Sequence, residues 1–257
     1  MTIFKYFNFD LKDLSKDKKL ESFRENYLWF SKPKFFNDPF DCNMEVIKYY
    51  NNFLNSINTI AEKADDLIIN GTKEFGICCF SETNNNIHMW SHYADSHKGI
   101  CIEYDSSEFN DYFSQLLKCR CYLKPVDYKV KLINLDGDIE WTKHSEFSEY
   151  KRIASIIKDP KELDVLFEKL LLQKNEGIWS NERELRLIIG GLARQNNKDR
   201  ELPFGYKIPF RRDMIKGVIF GVNTPDSLKS EVKKIFGTEI QYQEAKLDFE
   251  RWELKVV

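Results

Sequence analysis

The chain has 257 residues, of which 42% are hydrophobic and 14% aromatic, so it can bury a sizeable core and disorder is not expected. Charged residues of both signs are interspersed and leave a net charge of −2, which argues against bulk binding to nucleic acid or to an anionic membrane. No run approaches the roughly 20 apolar residues of a membrane helix, and the first residues lack a signal-peptide pattern. Six cysteines without CxxC pairs or zinc spacing predict reduced thiols, and we therefore expect a cytoplasmic protein.

The first elements in chain order are short aromatic strands. Residues 3–7 and Tyr27–Ser31 read as strands on either side of a Lys-rich helix. Residues 32–41 form a loop in which Asn37-Asp38-Pro39 favours a turn. The apolar stripe of residues 51–70 predicts the clearest helix of the chain, and residues 75–80 follow as a buried strand.

The stretch 84–105 concentrates polar chemistry beside a predicted core. We expect a helix capped by Asn85 or Asn86 and ended by Gly99 in the left-handed conformation, with the apolar strand 100–104 directly behind it. Helical spacing places three polar residues on one face and spreads three large side chains over the rest; these are His88, His92 and Asp95, and Met89, Trp90 and Tyr93.

Helices and strands alternate irregularly in the remainder of the chain. Ser106 or Ser107 is expected to cap a helix that runs to about Lys118. Residues 145–176 are predicted to be helical in two pieces, divided at Asp159-Pro160, and 145–178 is a candidate helical insertion. The last third reads as strand, strand, helix and strand, with Thr224 capping the helix. We therefore predict a single α+β domain, 1–257, with a curved, mostly antiparallel sheet flanked by helices.

Two groups of residues could carry metal chemistry. His88 and His92 stand four apart, which is the spacing of metal ligands on a helix face, and Asp95 or His97 would have to supply a third ligand. Since no HExxH glutamate accompanies them, histidines that line a pocket or bond to the backbone are favoured, and no metal is expected. Asp38 and its neighbours suit a cation or a base, but Asp and Asn beside Pro are also ordinary turn formers.

Glu182, Glu184 and Arg186 alternate just before an apolar run. An extended backbone would project all three from one face, with successive carboxylates about 7 Å apart. Such groups perturb each other's pKa values, as site carboxylates do, although a solvated, salt-bridged strand start is the competing interpretation. Phosphate-binding glycine loops, GxSxG and kinase motifs are absent from the sequence, which weakens assignments to ATPases, Rossmann dehydrogenases and serine hydrolases.

Several blocks together resemble a bacterial family catalogued as domain of unknown function 2971. They span nearly the whole chain, and the blocks that begin at Phe30 and Met89 are long enough to be specific. The residues that carry the resemblance are Phe4-Lys5-Tyr6, Phe30-Ser31-x-Pro33 with Phe36-Asn37-Asp38-Pro39-Phe40-Asp41, Met89 to Glu103, Trp179-x-x-Glu182-x-Glu184-x-Arg186, and Gly217 to Gly221.

A second resemblance is to ADP-ribosyltransferases, which share an early polar strand, a strand ending in FS and a late ExE strand. It implies an enzyme that uses NAD as substrate, as a transferase or glycohydrolase in phage defence or as a toxin. In such enzymes the last Glu of ExE stabilises the oxocarbenium-like state as nicotinamide leaves. The resemblance implies Glu184 as the catalytic residue and Glu182 as its partner, and we predict His92 as a further catalytic residue. The predicted ligand-binding residues are Lys5, Tyr6, Ser31, Asn37, Asp38, Trp90, Tyr93, His97 and Arg186. Lys5-Tyr6 stands where that family has Arg or His.

Two other classes of function stay open from the sequence. One is a sensing module that binds a small molecule or nucleotide without catalysis. The other is a metal-dependent nuclease in which the carboxylates of Asp38, Asp41, Glu182 and Glu184 gather a cation. The partners we expect are therefore a small-molecule or nucleotide ligand and a nucleic-acid or protein acceptor, with no membrane.

Overall fold

The computed structural model describes residues 1–38, 40–42, 75–129, 171–190 and 200–257. The predicted helix at 51–70 and the break at Asp159-Pro160 lie outside these residues, as does most of the candidate insertion. In the described part of the chain, no helix combines the length and the apolar character that crossing a membrane requires.

A large, open and mostly antiparallel sheet dominates the described residues, which confirms the predicted α+β class. Its strands are β1 (Thr2–Phe7), β2 (Tyr27–Ser31), β3 (Gly76–Ser81), β4 (Ile100–Asp105), β5 (Cys121–Pro125), β8 (Glu184–Ile189), β9 (Glu201–Leu202), β10 (Gly205–Pro209), β11 (Ile215–Phe220), β12 (Gln241–Asp248) and β13 (Glu253–Val256). A separate parallel pair consists of β6 (Asp127–Lys129) and β7 (Gln173–Asn175).

Helices pack around this sheet. They are α1 (Lys18–Arg24), α2 (Ile87–Tyr93), α3 (Phe109–Leu117), α4 (Glu176–Trp179) and α5 (Asp226–Phe236). Short 3-10 turns add Leu14–Lys16, Pro33–Phe35, Ser180–Glu182 and Arg212–Met214.

In the strand order, β3 lies within the long path of strands, and β8 joins β5 to that path by pairing with β3. One path runs β13-β12-β11-β4-β1-β3-β2-β10-β9, and β8 pairs with both β3 and β5. Along one edge of β3, β1 pairs near Ser81 whereas β2 pairs near Ile77, so the two strands diverge from opposite ends of β3. All pairings in this sheet are antiparallel except that of β11 with β12.

Burial on both faces explains the apolar sequence of β8. Leu185, Leu187 and Ile189 face the main core, which is rich in phenylalanine. Ile188 faces a smaller cluster that includes Leu171 and Leu172. Because side chains alternate along a strand, Glu184 and Arg186 share the face of Ile188 and enter the smaller cluster.

Several local predictions need correction. Residues 173–175 form strand β7, and Gly177 lies inside α4, so the helix predicted to reach residue 176 ends earlier. The predicted cap Thr224 donates its hydroxyl to the Gly99 carbonyl, and Pro225 holds the N-cap position of α5. In the same way, the Ser106 hydroxyl donates to the Met1 carbonyl while Glu108 precedes α3. Both hydroxyls therefore bond to carbonyls that are distant in sequence and do not cap a helix.

Gly99 is required for a different reason from the one predicted. Asn86 caps α2 as expected, but the left-handed residues that follow the helix are Asp95 to His97. A Cβ on Gly99 would lie 1.9 Å from the Phe7 carbonyl oxygen. The glycine therefore permits the close approach of this turn to β1.

Candidate functional site

Five charged side chains form a buried cluster at the start of β8, and we call it the charged cluster. Its members come from four separate segments; they are Asp41, Lys174, Glu182, Glu184 and Arg186. Their side chains are only 0–6% exposed, and this burial excludes the alternative interpretation of a solvated strand start. Buried charges require this degree of pairing, since an isolated buried ion is very costly.

Arg186 joins two carboxylates through its planar fork of donors. Its Nη1 and Nη2 atoms donate to the two oxygens of Asp41 at 2.8 and 2.5 Å. Its Nε and Nη2 atoms donate to the two oxygens of Glu184 at 2.8 and 3.2 Å. A further bond of 2.6 Å reaches the Leu171 carbonyl, and the guanidinium lies over the ring of Phe36. Bidentate contacts of this kind fix orientation as well as charge.

Lys174 is the second cation of the charged cluster. Its Nζ atom lies 2.6 Å from Glu182, 3.2 Å from Glu184 and 3.8 Å from Asp41, so three carboxylates surround one ammonium. The ammonium also lies 4.5 Å from the ring centroid of Trp179. β7 positions this lysine through its pairing with β6, in which Tyr128 stands opposite Lys174.

Glu182 lies in a 3-10 turn, and β8 begins only at Glu184, so the expectation of one extended run from 182 is wrong. Arg183 adopts a left-handed conformation that redirects the chain between the two glutamates. The Glu182 carboxylate still reaches the cluster, where Tyr93 Oη donates to it at 2.5 Å. Ser81 Oγ holds the Glu182 carbonyl at 2.8 Å.

The pKa values follow from burial and charge. Burial alone would raise the pKa of Glu184, but the charges and hydrogen bonds of Arg186, together with the charge of Lys174, outweigh it and lower the pKa to about 2. Burial would lower the pKa of Lys174, whereas the charges of Glu184 and Glu182 raise it. Burial, reinforced by the charge of Glu182, raises the pKa of Tyr93 and keeps its hydroxyl protonated as a donor. Glu184 is thus a fixed, ionised carboxylate.

Two thiols beside the charged cluster are poor nucleophiles. Burial raises the pKa of Cys42 and of Cys79. Cys42 Sγ lies 3.4 Å from Arg186, and the negative charge of Glu184 opposes ionisation of Cys79. Since the thiolate is the reactive form, cysteine catalysis is not favoured at this position.

The turn that begins at Asp38 positions one member of the charged cluster. Asp38 accepts from the Phe40 amide at 3.0 Å, and its carbonyl accepts from the Asp41 amide at 3.1 Å. Asp38 is buried, Asn37 is exposed, and Cys42 follows with a left-handed backbone. Asp38 therefore acts here as the turn former that its sequence context allows, and Asp41 supplies the carboxylate.

The predicted ligand-binding residues of β1 and β2 lie near β3. Lys5 Nζ donates to the Cys79 carbonyl at 2.7 Å, and Cys79 stands opposite Arg186 in the sheet. Tyr6 Oη donates to the Thr83 carbonyl at 2.8 Å. Ser31 Oγ accepts from Trp29 Nε1 at 3.2 Å. The polar groups of these three residues are thus engaged within the protein.

The aromatic and imidazole groups of α2 divide between core and surface. Trp90 is fully buried, packs edge-on against Tyr6 and donates to the Asn84 carbonyl. His97 lies parallel to Trp90 at 6.3 Å, and burial lowers its pKa. The exposed His92 has its ring 4.4 Å from that of His88. In the described residues, no three His, Cys, Asp or Glu side chains form a group that could hold a metal ion.

The sequence pointed to Glu182, Glu184, Arg186 and Tyr93, which the fold brings together. Lys174 was missed, because the apolar run before it reads as a helix and nothing marks a lone lysine as buried. Asp41 was considered only as a cation ligand; its partner is the guanidinium of Arg186. The neighbouring Asn37-Asp38-Pro39 sequence, which favours a turn, was the signal that could have drawn attention to Asp41.

Comparison with known families gives a match that covers residues 89–187 and is described as "Protein of unknown function (DUF2971)". The matched stretch holds all of the charged cluster except Asp41, together with Tyr93. Comparisons with curated proteins and with solved structures give no match. The resemblance predicted from the sequence is confirmed over this stretch, in which residues 89–187 match the model of the DUF2971 family.

Proposed function

We propose that this protein is an NAD-using enzyme of the ADP-ribosyltransferase type, with Glu184 as its central carboxylate. The observation that carries the proposal is the charge of the cluster. Three buried carboxylates face two buried cations, which leaves one excess negative charge in a region of low exposure. A cation that develops next to such a group is stabilised more strongly than it would be in water.

Breakage of the bond between nicotinamide and ribose creates a developing positive charge of this kind. Nicotinamide leaves with the bonding electron pair, and positive charge develops on the ribose carbon and ring oxygen. Water or an acceptor group then attacks that carbon and loses a proton, which gives ADP-ribose or an ADP-ribosylated product. In this scheme Glu184 stabilises the oxocarbenium-like state, and Glu182 acts as its partner.

The neighbours of the two glutamates act as positioning residues in this proposal. Arg186 holds both oxygens of Glu184, and the second cation, Lys174, spans the two carboxylates. Tyr93 fixes the remaining oxygen of Glu182. A fixed carboxylate needs little reorganisation as charge develops, which is the source of electrostatic catalysis. Roles for His92 in catalysis and for Lys5, Tyr6, Trp90 and His97 in NAD binding stay predictions.

The experiment measures release of nicotinamide from NAD by the purified wild type and by Glu184→Gln. We expect the variant to be slower by roughly 100- to 1,000-fold, the range found when one electrostatic contact to a transition state is lost. Glu239→Gln makes the same chemical change at an exposed position and should keep the wild-type rate. Circular dichroism checks that each variant is folded.

Failure of the wild type to release nicotinamide or to bind NAD in calorimetry would overturn the proposal. Binding of NAD without release, in the presence of candidate protein and nucleic-acid acceptors, would instead support the sensing module. The comparison of wild type with Glu184→Gln thus separates a catalytic from a purely binding role. A phenotype in phage defence or toxicity would follow from NAD consumption and should be lost in the same variant.

The metal-dependent nuclease is the second candidate, and one observation bears on it. The carboxylates of Asp41, Glu182 and Glu184 all lie near the ammonium of Lys174, which takes the place that a divalent ion would need. A divalent ion would have to displace this amine. Cleavage of DNA or RNA that depends on an added divalent ion and is abolished by Glu182→Gln would favour the nuclease.

A further inference from the structure

The outer edge of strand β13 carries a self-complementary pattern. β13 ends the strand order, and within the described residues its pairing is with β12. Amide and carbonyl groups of Glu244 and Val257 bond to each other, so the pairing register makes Lys255 and Glu253 the next residues bonded to β12. In an antiparallel pair the residues between them direct their backbone groups outward, so those of Leu254 and Val256 point to the open edge.

We propose that two copies of this chain pair through β13 in antiparallel fashion, with a two-fold axis at Leu254. The outward amide and carbonyl of Leu254 then bond to the same groups of the second copy. This register sets Glu253 of each copy opposite Lys255 of the other, which makes two cross-strand pairs of opposite charge. Both side chains are exposed and project from the same face of the sheet, opposite to buried Leu254.

The order of the charged residues along β13 favours a second copy of the chain over another partner at this edge. Edge strands usually resist pairing through like charges or repeated lysines, whereas Glu253 and Lys255 alternate in the order that matches itself. Opposite charges directly across a strand pair stabilise it, and like charges destabilise it. The present partners of these side chains, Asp248 for Lys255 and Arg251 for Glu253, lie on the same hairpin and do not use the open edge.

Two large aromatic side chains stand beside the open edge. Phe249 is 81% exposed and Trp252 is 90% exposed, at the turn that joins β12 to β13. The proposed register places Trp252 opposite Val256 of the second copy. Pairing would therefore cover apolar surface next to the strand in addition to forming backbone hydrogen bonds.

Sedimentation equilibrium of the full chain tests the proposal. The wild type should dimerise reversibly with concentration. Glu253→Lys and Lys255→Glu each turn both cross-strand pairs into like-charge pairs, so each alone should raise the dimer dissociation constant roughly tenfold or more. An equimolar mixture of the two variants restores opposite charges and should form a heterodimer near wild-type affinity. Circular dichroism checks that both variants are folded.

Asp248→Asn is the matched control, because it removes the ion pair of Lys255 within the hairpin and leaves the cross-strand pairs in place. It should dimerise like the wild type. A wild type that stays monomeric at every concentration would overturn the proposal. So would a dimer that neither charge reversal weakens, or single variants that fail to associate when mixed although both are folded.

Discussion

The charged cluster and helix α2 both contain polar residues that the sequence pointed to, and they differ in how the hydrogen-bonding and charged groups are paired. In the cluster every carboxylate has a cation within 3.2 Å, and the side chains are nearly inaccessible. On α2, by contrast, His92 is exposed, and Nε2 of His88 is buried without a hydrogen-bond partner. The two regions meet at Tyr93, which lies on α2 and donates to Glu182.

This difference shows what burial demands of charge. Desolvation of an ion costs several kcal/mol, so a buried charge persists only when partners fix it. An exposed imidazole such as that of His92 can bond to water and needs no such network. The cluster is therefore expected to be rigid and important for stability, whereas the histidines can change at little cost to the fold.

The largest expected effect comes from Arg186→Met. Removal of the guanidinium leaves Asp41 buried and deprives Glu184 of both its arginine bonds, so we expect a loss of about 3–5 kcal/mol in the free energy of unfolding. Urea titration measures it. Lys98→Ala, which breaks an exposed pair with Asp95, should change stability by less than about 1 kcal/mol. Equal losses in the two variants would contradict a buried, cooperative cluster.

Acid should weaken the fold through Glu184. Because its folded-state pKa of about 2 lies below the ordinary value of 4.5, its stabilisation is present above pH 4.5 and is lost as the pH falls towards 2. The full effect is about 3 kcal/mol. Chemical unfolding at a series of pH values should show this loss in the wild type, beyond that of Glu184→Gln. Parallel curves for the two proteins would mean that Glu184 is not held ionised.

Tyr93→Phe should have an intermediate effect, because it deletes a hydrogen bond to a buried carboxylate while Lys174 still pairs with Glu182. We expect a loss of about 2 kcal/mol. Tyr242→Phe deletes an exposed bond to the Gly237 carbonyl and should cost about 1 kcal/mol or less. Thermal unfolding of both variants compares them, and a larger loss from Tyr242→Phe would reverse the expected order.

The smallest effect is expected for His92→Ala, since this side chain is exposed and Ala favours a helix. Stability should change by less than about 0.5 kcal/mol. A loss close to that of Arg186→Met would erase the difference between the two regions. Nicotinamide release by the same variant tests the predicted catalytic role of His92, and a wild-type rate would remove it from that role.

Local signals in the sequence were sufficient for elements whose patterns are short-range. Strand β2 was predicted with its observed bounds, and Asn86 caps α2 as expected. These features depend on alternation and on capping within a few residues. Gly99 and Thr224 were assigned local roles, although both respond to backbone brought close by the sheet. Such contacts are decided by tertiary structure and leave no local pattern.

Prediction of the candidate site from the sequence was limited in the same way, by contacts that depend on tertiary structure. Glu182, Glu184 and Arg186 are neighbours in sequence, so their spacing could indicate a group of interacting charges. Lys174 and Asp41 join them only because β7 and the turn before Cys42 meet β8, and no local pattern shows which lysine neutralises a buried carboxylate. The charge balance of the cluster therefore became visible only in three dimensions.

Carbon-13 NMR of the Glu184 carboxylate, assigned by comparison with Glu184→Gln, tests the central claim most directly. We predict that its resonance shows an ionised carboxylate from neutral pH down to about pH 3, and that it shifts when NAD is added. Titration near the ordinary pKa of 4.5, or a resonance that saturating NAD leaves unmoved, would contradict a fixed carboxylate that acts on NAD.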